Sequence, residues 1–302
     1  MSGMVQTRET LRRDIEAMGV AKDDTVLVRA NVGAIGRVKG GLGESLRRAL
    51  LDAVGERGTI VSLAFTRTFP LFRLDRGYVF DEATPTTSGA LPKLLLETPG
   101  RVRSRHPTNS FVAVGARAEE LLARHDERSP SFLPMERLVA LGGKQLVIGC
   151  VDESPGFTTV HWAQHRLGLS TRSLLRDRVG VLYARDGEVR LFRRQDIGGC
   201  SLGFHKLYPA YARAGLLRRG LVGRAESIAI DAAPAYDLEA EVLRKDPRAV
   251  LCDRRVCTFC RGTWLFNKRD MPSFYVRYAL HTASRWVRPR SVASTEVEAG
   301  AT

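Results

Sequence analysis

Apolar and polar positions along the first 165 residues alternate between helical and extended periods. Thr7 to Met18 reads as a helix stopped by Gly19, and Thr25 to Arg29 as a short strand. Glu44 to Val54 places Leu46, Leu50, Leu51 and Val54 on one stripe, which predicts an amphipathic helix. Thr59 to Phe65 is a nearly unbroken apolar run, as expected of a strand covered on both faces. A helix over Gly89 to Glu97, a strand over Phe111 to Val114, a helix over Ala116 to Ala123 and a buried strand over Lys144 to Gly149 follow. The pattern predicts an α/β fold: a layered mixed sheet flanked by helices.

Beyond residue 175 the pattern changes. Gly180 to Ala184 and Glu188 to Phe192 flank Asp186-Gly187, a hairpin signal. Phe204 to Ala214 and Ala235 to Lys245 read as helices, Arg224 to Ile230 as a strand, and Ser273 to Val287 as a last helix. The expected organisation is an α/β region over 1–175, a C-terminal β/α extension over 176–288 forming one compact unit with it, and a disordered tail over 289–302.

Composition narrows the class. Hydrophobic residues make up 44% and charged residues 26%, values of a water-soluble globular chain. No apolar run approaches the roughly 18 residues of a spanning helix, so no membrane partner is expected. Met1 to Thr10 lacks the apolar core of a signal peptide, so a cytoplasmic location and reduced thiols are expected. The net charge is +14, and only seven of the 47 basic residues are Lys. An Arg excess of this kind reflects either genomic base composition or attraction to an anionic partner. It argues against a strongly polycationic ligand.

Three segments can carry chemistry. Residues 33–43 read G-A-I-G-R-V-K-G-G-L-G between a strand and a helix. Such a turn presents backbone N–H groups at a positive helix end, which suits phosphate, and Arg37 and Lys39 add charge; the other reading is a plain turn. Arg103 to Ser110 precedes a strand and fixes His106 before Pro107, either to meet a ligand or to hydrogen-bond its own loop. The segment from Asp152 to His161 follows a buried strand, where open α/β sheets build their sites. With Thr158 as N-cap, His161 falls in the first helical turn, where the dipole keeps the imidazole neutral, as a general base requires. Asp152 and Glu153 are the candidates to orient its other ring nitrogen, and a His that merely packs the helix start is the alternative. Cys150, just after the strand, is a minor candidate nucleophile.

Cys252-x4-Cys257-x2-Cys260, with Cys200 upstream, supplies four thiols. Structural zinc and independent buried thiols are the two leading readings, with His205 as a substitute ligand and an iron–sulfur cluster also open. A metal there would tie the C-terminal extension to the rest. The last helix carries Phe274, Tyr275, Tyr278 and Trp286 among Arg277, Arg285, Arg288 and Arg290. Packed aromatics with solvated arginines explain this better than single-stranded nucleic acid, so nucleic acid is not an expected partner.

Taken in order, these segments resemble the aminoglycoside 3-N-acetyltransferase family. The family's G-T-L-V-x-P-x-F-T is matched by Gly58 to Thr66, M-G-x-L-P by Gly89-Ala90-Leu91-Pro92, and R-S-x-H-P-x-x-S in full by residues 103–110. G-K-x-L-x-x-G is matched at 143–149, and T-x-x-H-x-A-E appears as Thr158 to Gln164. The likeness covers about residues 7–165, and it is the ordered set that is specific.

The resemblance implies an acetyl-CoA-dependent N-acetyltransferase acting on a small-molecule amine, an amino sugar or another amino-bearing metabolite, with antibiotic resistance as the family's setting. Carried over, His161 is the base, Ile35, Gly36, Arg37, Val38, Gly40 and Gly41 line the CoA site, and Ser104 and His106 stand beside the thioester. The chain departs from the pattern where H-S-S-L-R becomes Arg29 to Gly33, where the closing Glu becomes Gln164, and where the family's Asp falls on Pro155. These departures leave a second reading: a catalytically altered member that binds an anionic partner. Within the first reading the charge favours an acceptor with an anionic handle. The pattern leaves monomer and homodimer both open.

Overall fold

Strands whose successive residues are all apolar need cover on both faces, and the fold provides it. The chain's structure is a computed structural model describing residues 5–264, 266 and 268–287. The first half contains α1 (Arg8–Ala17), β1 (Thr25–Ala30), α2 (Leu42–Val54), β2 (Thr59–Leu63), β3 (Phe69–Pro70), β4 (Val79–Phe80), α3 (Ala90–Leu96), β5 (Val102–Arg103), β6 (Phe111–Gly115), α4 (Ala118–Leu122), α5 (Pro134–Ala140), β7 (Lys144–Ile148) and α6 (Thr159–Arg166). The second contains β8 (Val179–Arg185), β9 (Glu188–Arg193), α7 (Tyr208–Arg213), β10 (Arg218–Val222), β11 (Ala225–Asp231), α8 (Ala232–Lys245) and α9 (Met271–Val287). The main expected elements are present with shifted ends. The Phe204 to Ala214 helix divides into a 3-10 turn (Ser201–Leu207) and α7, and β10 and α5 carried no periodic signal in the sequence.

A seven-stranded mixed sheet runs β10-β11-β7-β1-β2-β6-β5. β1 pairs in parallel with β2 and β7, while β11, β6 and the edge strands are antiparallel. Alternate residues feed the two faces of the sheet, one apolar cluster on the first and two on the second. Val26 and Val28 of β1, with Leu146 and Ile148 of β7, face Leu11 and Ile15 of α1 and Leu46 and Leu50 of α2. Leu27 of β1 and Val61 of β2 face Met135 and Leu138 of α5 and Trp162 of α6. Val147 of β7, with Ile228 and Ile230 of β11, joins Val160 and Ala163 of α6 and Leu243 of α8. A smaller sheet is built on β8, which pairs with β9 along one edge and with β3 and β4 along the other.

The helix that carries His161 does not start as the sequence implied. Thr158 already has helical angles (φ −72°, ψ −22°), so its hydroxyl cannot reach back as an N-cap. Gln145 of β7 caps the helix instead: its Oε1 accepts from Thr158 N at 2.7 Å and Thr159 N at 3.3 Å. Its Nε2 donates to Thr159 Oγ1 at 2.8 Å, which donates to Glu239 Oε1 of α8 at 2.8 Å. Tyr211 Oη of α7 donates to the same Glu239 oxygen at 2.6 Å. Glu239 is fully buried, and that burial pushes its pKa up to about 8 against the opposing pull of its two hydroxyl donors.

Two stability outcomes follow from these contacts. Gly115 ends β6 at φ +132°, and a Cβ there would lie 2.1 Å from Gly58 O and 2.7 Å from Thr59 Cα. Gly115→Ala should cost more than about 2 kcal/mol, whereas Gly100→Ala, also at positive φ but with nothing within 4 Å, should cost about 1 kcal/mol. Thermal melts compare the two, and equal shifts would contradict the packing argument. For Glu239, the folded state holds the proton up to about pH 8, while the unfolded carboxyl releases it near 4.3. The folded state therefore binds more protons across that window, and stability falls as pH rises through it. Glu239→Gln removes this slope, so the variant's melting temperature should gain on wild type steadily from pH 5 to pH 8. A constant difference over that range would refute the neutral buried carboxyl.

Candidate active site

The parallel pairing of β1 with β7 brings the ends of both strands together, with Ala30 opposite Ile148. The turn after β1 and the loop after β7 therefore leave the sheet side by side, at its carboxyl end. Asn31 N donates to Ile148 O at 2.8 Å, and Gly149 packs where a Cβ would lie 2.6 Å from Ala34 Cβ. Arg29 crosses between the two segments: its guanidinium donates to Ser154 O at 3.0 Å, to Ser154 Oγ at 3.1 Å and to Gly156 O. Tyr208 Oη accepts from Gly156 N at 2.7 Å and donates to Val151 O at 3.1 Å, closing the loop that leads into α6.

His161 stands at the third position of α6 and is partly buried. Its ring stacks on Phe132 (centroids 4.4 Å apart, planes at 19°) and meets the edge of Phe204 at 4.8 Å. Nδ1 lies 3.1 Å from Gln164 Oε1, so a neutral ring donates there and leaves Nε2 with a bare lone pair. Among the described residues no hydrogen bond engages Nε2. Gly198 lies along the Nδ1 edge, where a Cβ would be 2.8 Å from Nδ1. Burial above all lowers the His161 pKa, to about 4, and the charges of Arg29 and Arg194 act in the same direction. The ring is therefore neutral through the physiological range.

Several expectations are corrected. Asp152 and Glu153 are exposed and make no hydrogen bond to His161; Gln164 takes the orienting position because it lies one turn along the same helix. His106 is fully buried, and its Nδ1 accepts from Asn109 N at 3.0 Å, so it organises its own loop. It also stacks on His125 at 4.9 Å. Ser104 is buried too, with Oγ accepting from Phe111 N at 2.8 Å and 3.0 Å from His125 Nδ1. Neither presents surface to a ligand. Burial pushes the Cys150 thiol up, against the pull of Arg29, which disfavours it as a nucleophile.

The Gly-rich turn is more occupied than its sequence implied. Ile35 is fully buried in the core, and its carbonyl accepts from Arg224 N at 3.0 Å. Gly36 faces the Arg224 side chain, 2.8 Å from where a Cβ would sit. Gln6 brackets Val38, donating to Arg37 O at 3.0 Å and accepting from Lys39 N at 2.9 Å. Gly40 (φ +82°) and Gly41 (φ +93°) remain exposed, Gly41 at the N-terminus of α2, with exposed Arg37 and Lys39 beside them. This part keeps the character of an anion site.

The sulfur atoms of Cys200, Cys252, Cys257 and Cys260 all lie within 4.8 Å of one another. Cys200 and Cys260 are 3.2 Å apart, and Cys257 and Cys200 3.7 Å; all four are free thiols. Tetrahedral zinc at about 2.3 Å from each sulfur sets sulfurs about 3.8 Å apart, so the cluster fits it. His205 does not join: its Nδ1 faces Leu202 O and its Nε2 lies 3.9 Å from Asp253. On α9, Phe274 is buried against Gly262, while Tyr275 and Tyr278 are about half exposed. The side chains of Arg285 and Trp286, and residues 288–302 with Arg288, Arg290 and the expected tail, lie outside the described residues.

The sequence reading missed Phe132, Phe204 and Gly198 around the ring, and Gln145 and Glu239 beneath it. Only the Gly198-Gly199 pair beside Cys200 carried a signal, as a segment where backbone must approach a neighbour closely.

The profile of the aminoglycoside 3-N-acetyltransferase family matches residues 27–244. Aminoglycoside N(3)-acetyltransferase VII of Streptomyces paromomycinus is 32% identical over 260 residues, covering 76% of this chain and 89% of its own. Aminoglycoside N(3)-acetyltransferase IX of Micromonospora chalcea is 30% identical over 263 residues, covering 78% and 92%. Among solved structures, AAC-IIIb in its binary complex with CoASH superposes with a TM-score of 0.68 at 29% identity, covering 80% of this chain and 97% of that one. With the mixed sheet, the loops at its carboxyl end and the profile match all in agreement, the chain belongs to the aminoglycoside 3-N-acetyltransferase family.

Proposed function

We propose that this protein is an acetyl-CoA-dependent N-acetyltransferase that acylates an amine of an amino sugar, the aminoglycosides being the class its relatives act on. The observation that carries the reading is His161: a neutral imidazole with Nδ1 held by Gln164 and Nε2 unpartnered, at the carboxyl end of the sheet. An ammonium group is not nucleophilic, so its proton must leave before or during attack, and Nε2 is the acceptor in reach of an entering amine. The thioester supplies an activated acetyl group; the new N–C bond replaces the C–S bond and the thiolate leaves protonated. Gly40, Gly41 and the α2 N-terminus, with Arg37 and Lys39, are suited to the phosphates of CoA. Support for CoA comes from the CoASH complex of AAC-IIIb. The four cysteines hold a structural zinc in this reading, consistent with a reducing, cytoplasmic setting.

Gln164 gives the site a character of its own. A carboxylate in its place would stabilise the imidazolium after proton transfer, whereas an amide fixes the tautomer without that charge. His161 is thus a weak base that stays available in mildly acidic solution.

Two measurements test the assignment. His161→Ala should lower kcat with acetyl-CoA and an aminoglycoside panel by at least about a hundredfold, with the KM for acetyl-CoA little changed. A near-normal rate would refute the base. Gln164→Glu places a carboxylate on Nδ1 and should raise the His161 pKa by about one unit or more. The acid limb of the wild-type pH profile, expected well below the ordinary imidazole range, should then move upward; an unmoved limb would mean that another group controls it.

A further inference from the structure

The four-cysteine cluster is not remote from His161. Cys200 is flanked in sequence by residues that form two of the three walls of the imidazole. On one side Gly198 lies against Nδ1, close enough that a Cβ would sit 2.8 Å from that atom and 3.4 Å from Gln164 Oε1. On the other, Phe204 turns its ring edge to the imidazole at 4.8 Å and packs on Gly156 of the loop that leads into α6. Gly199, between the first wall and Cys200, faces Trp264 and Cys260, 3.5 and 3.7 Å from where its Cβ would be. The opposite half of the cluster, Cys252 to Cys260, is held largely through the same segment. Gly203 fits so closely against Val250 and Leu251 that a Cβ would come within 2.2 Å of Val250 O. The segment from 246 to 257 has no helix or strand, and the apolar group around the cluster is small: Leu251, Cys252 and Cys260, with Cys200, Leu202, Cys257 and Phe266 at its margin.

We infer that zinc bound by Cys200, Cys252, Cys257 and Cys260 acts as a positioning centre for the catalytic imidazole, fixing Gly198 and Phe204 against His161 so that acetyl transfer depends on metal occupancy. The inference rests on His161 being the base. Among the described residues the Cys200 side chain meets the C-terminal segment through sulfur contacts, while Ile197 N bonds Ser170 O on one side and Lys206 Nζ bonds Leu251 O on the other, so loss of the metal loosens chiefly the stretch between those two anchors, the one that passes the ring. The coenzyme side, at Gly40 and Gly41, takes no part in the cluster. Metal loss should therefore act on turnover and leave coenzyme affinity alone.

The test uses the full chain as purified. Elemental analysis should find one zinc per chain, and replacement by Co2+ should give the visible bands of a tetrahedral thiolate site. Chelation should lower kcat about tenfold to a hundredfold, hold the KM for acetyl-CoA within about twofold, and shift the ring signals of His161 in the 1H-15N spectrum, all reversed by Zn2+. Gly198→Ala displaces the same wall without touching a thiol. It should lower kcat to a similar extent, with zinc content and melting temperature kept, which separates positioning from unfolding. Cys260→Ser should lose zinc and reproduce the chelated protein. Absence of metal from the native chain, full turnover of the zinc-free chain, or an unchanged His161 spectrum on chelation would each overturn the inference. Normal activity of His161→Ala with zinc bound would instead overturn the base assignment, so the two failures are distinguishable.

Discussion

The constraint on which the rest depends is the parallel register of β1 and β7, with Val26 opposite Lys144 and Ala30 opposite Ile148. Parallel pairing makes both strands end on the same side, and the register makes them end at the same height. The turn after β1 and the loop into α6 then start there. A slip of one residue would turn Leu27 and Val147 from one core to the other, and each core is already filled by helices. The site is therefore placed by hydrophobic burial far more than by any polar contact. The bonds from Arg29 to the Ser154–Gly156 carbonyls then lock two loops that the sheet has already brought together.

Within that frame, the electrostatics around His161 differ from those of a His–carboxylate pair. Gln164 supplies only a dipole, Arg29 and Arg194 supply positive charge, and the surroundings are aromatic. Burial and the two arginines disfavour the imidazolium, against the smaller opposing pull of the Gln164 hydrogen bond, and they also disfavour a bare ammonium next to it. Under the proposed function, an acceptor amine beside His161 would be driven towards its neutral, nucleophilic form by the same field that keeps the histidine neutral. The anionic coenzyme is favoured by that field.

The central fold was legible because its strands and helices carry their own periods: Thr59 to Phe65 shows itself as a doubly covered strand, and Leu46 to Val54 as a helical stripe. The place of His161 in the first turn of α6 was legible from the strand-loop-helix context. What escaped depends on contacts across long stretches of chain, which leave no local pattern. Gln145 caps a helix that begins thirteen or fourteen residues later, because the fold folds β7 back along α6. Glu239 meets Thr159 across 80 residues. Asp152 and Glu153 looked suitable because acid residues near a histidine in sequence are easily imagined beside it. The loop turns them to solvent, since burying two carboxylates in an aromatic pocket would cost more than a single amide does. The hydroxyl and imidazole of Ser104 and His106 illustrate the same limit: the motif marks a loop that must be built one way, and building it consumes those groups.

The cysteines show how a local pattern and a distant one combine. The spacing of Cys257 and Cys260 brings two sulfurs onto one short turn, but a closed four-sulfur site needs chain from elsewhere, and the fold delivers Cys200 from the segment that follows β9. That segment has no strand or helix between Arg193 and Ser201, so hydrogen bonds of regular structure do not set its path. Its path is set by what it touches: Ser131 through Asp196, His161 through Gly198, and the cluster through Cys200. Before the glycines, Asp196 accepts from Ser131 N and Oγ, both at 2.7 Å, and Ile197 N donates to Ser170 O at 2.8 Å; after Cys200, Phe204 is buried and Lys206 Nζ donates to Leu251 O at 2.6 Å. Cys200 lies between those two anchors, so under the zinc proposal the metal would tie the stretch that passes the imidazole to the C-terminal segment.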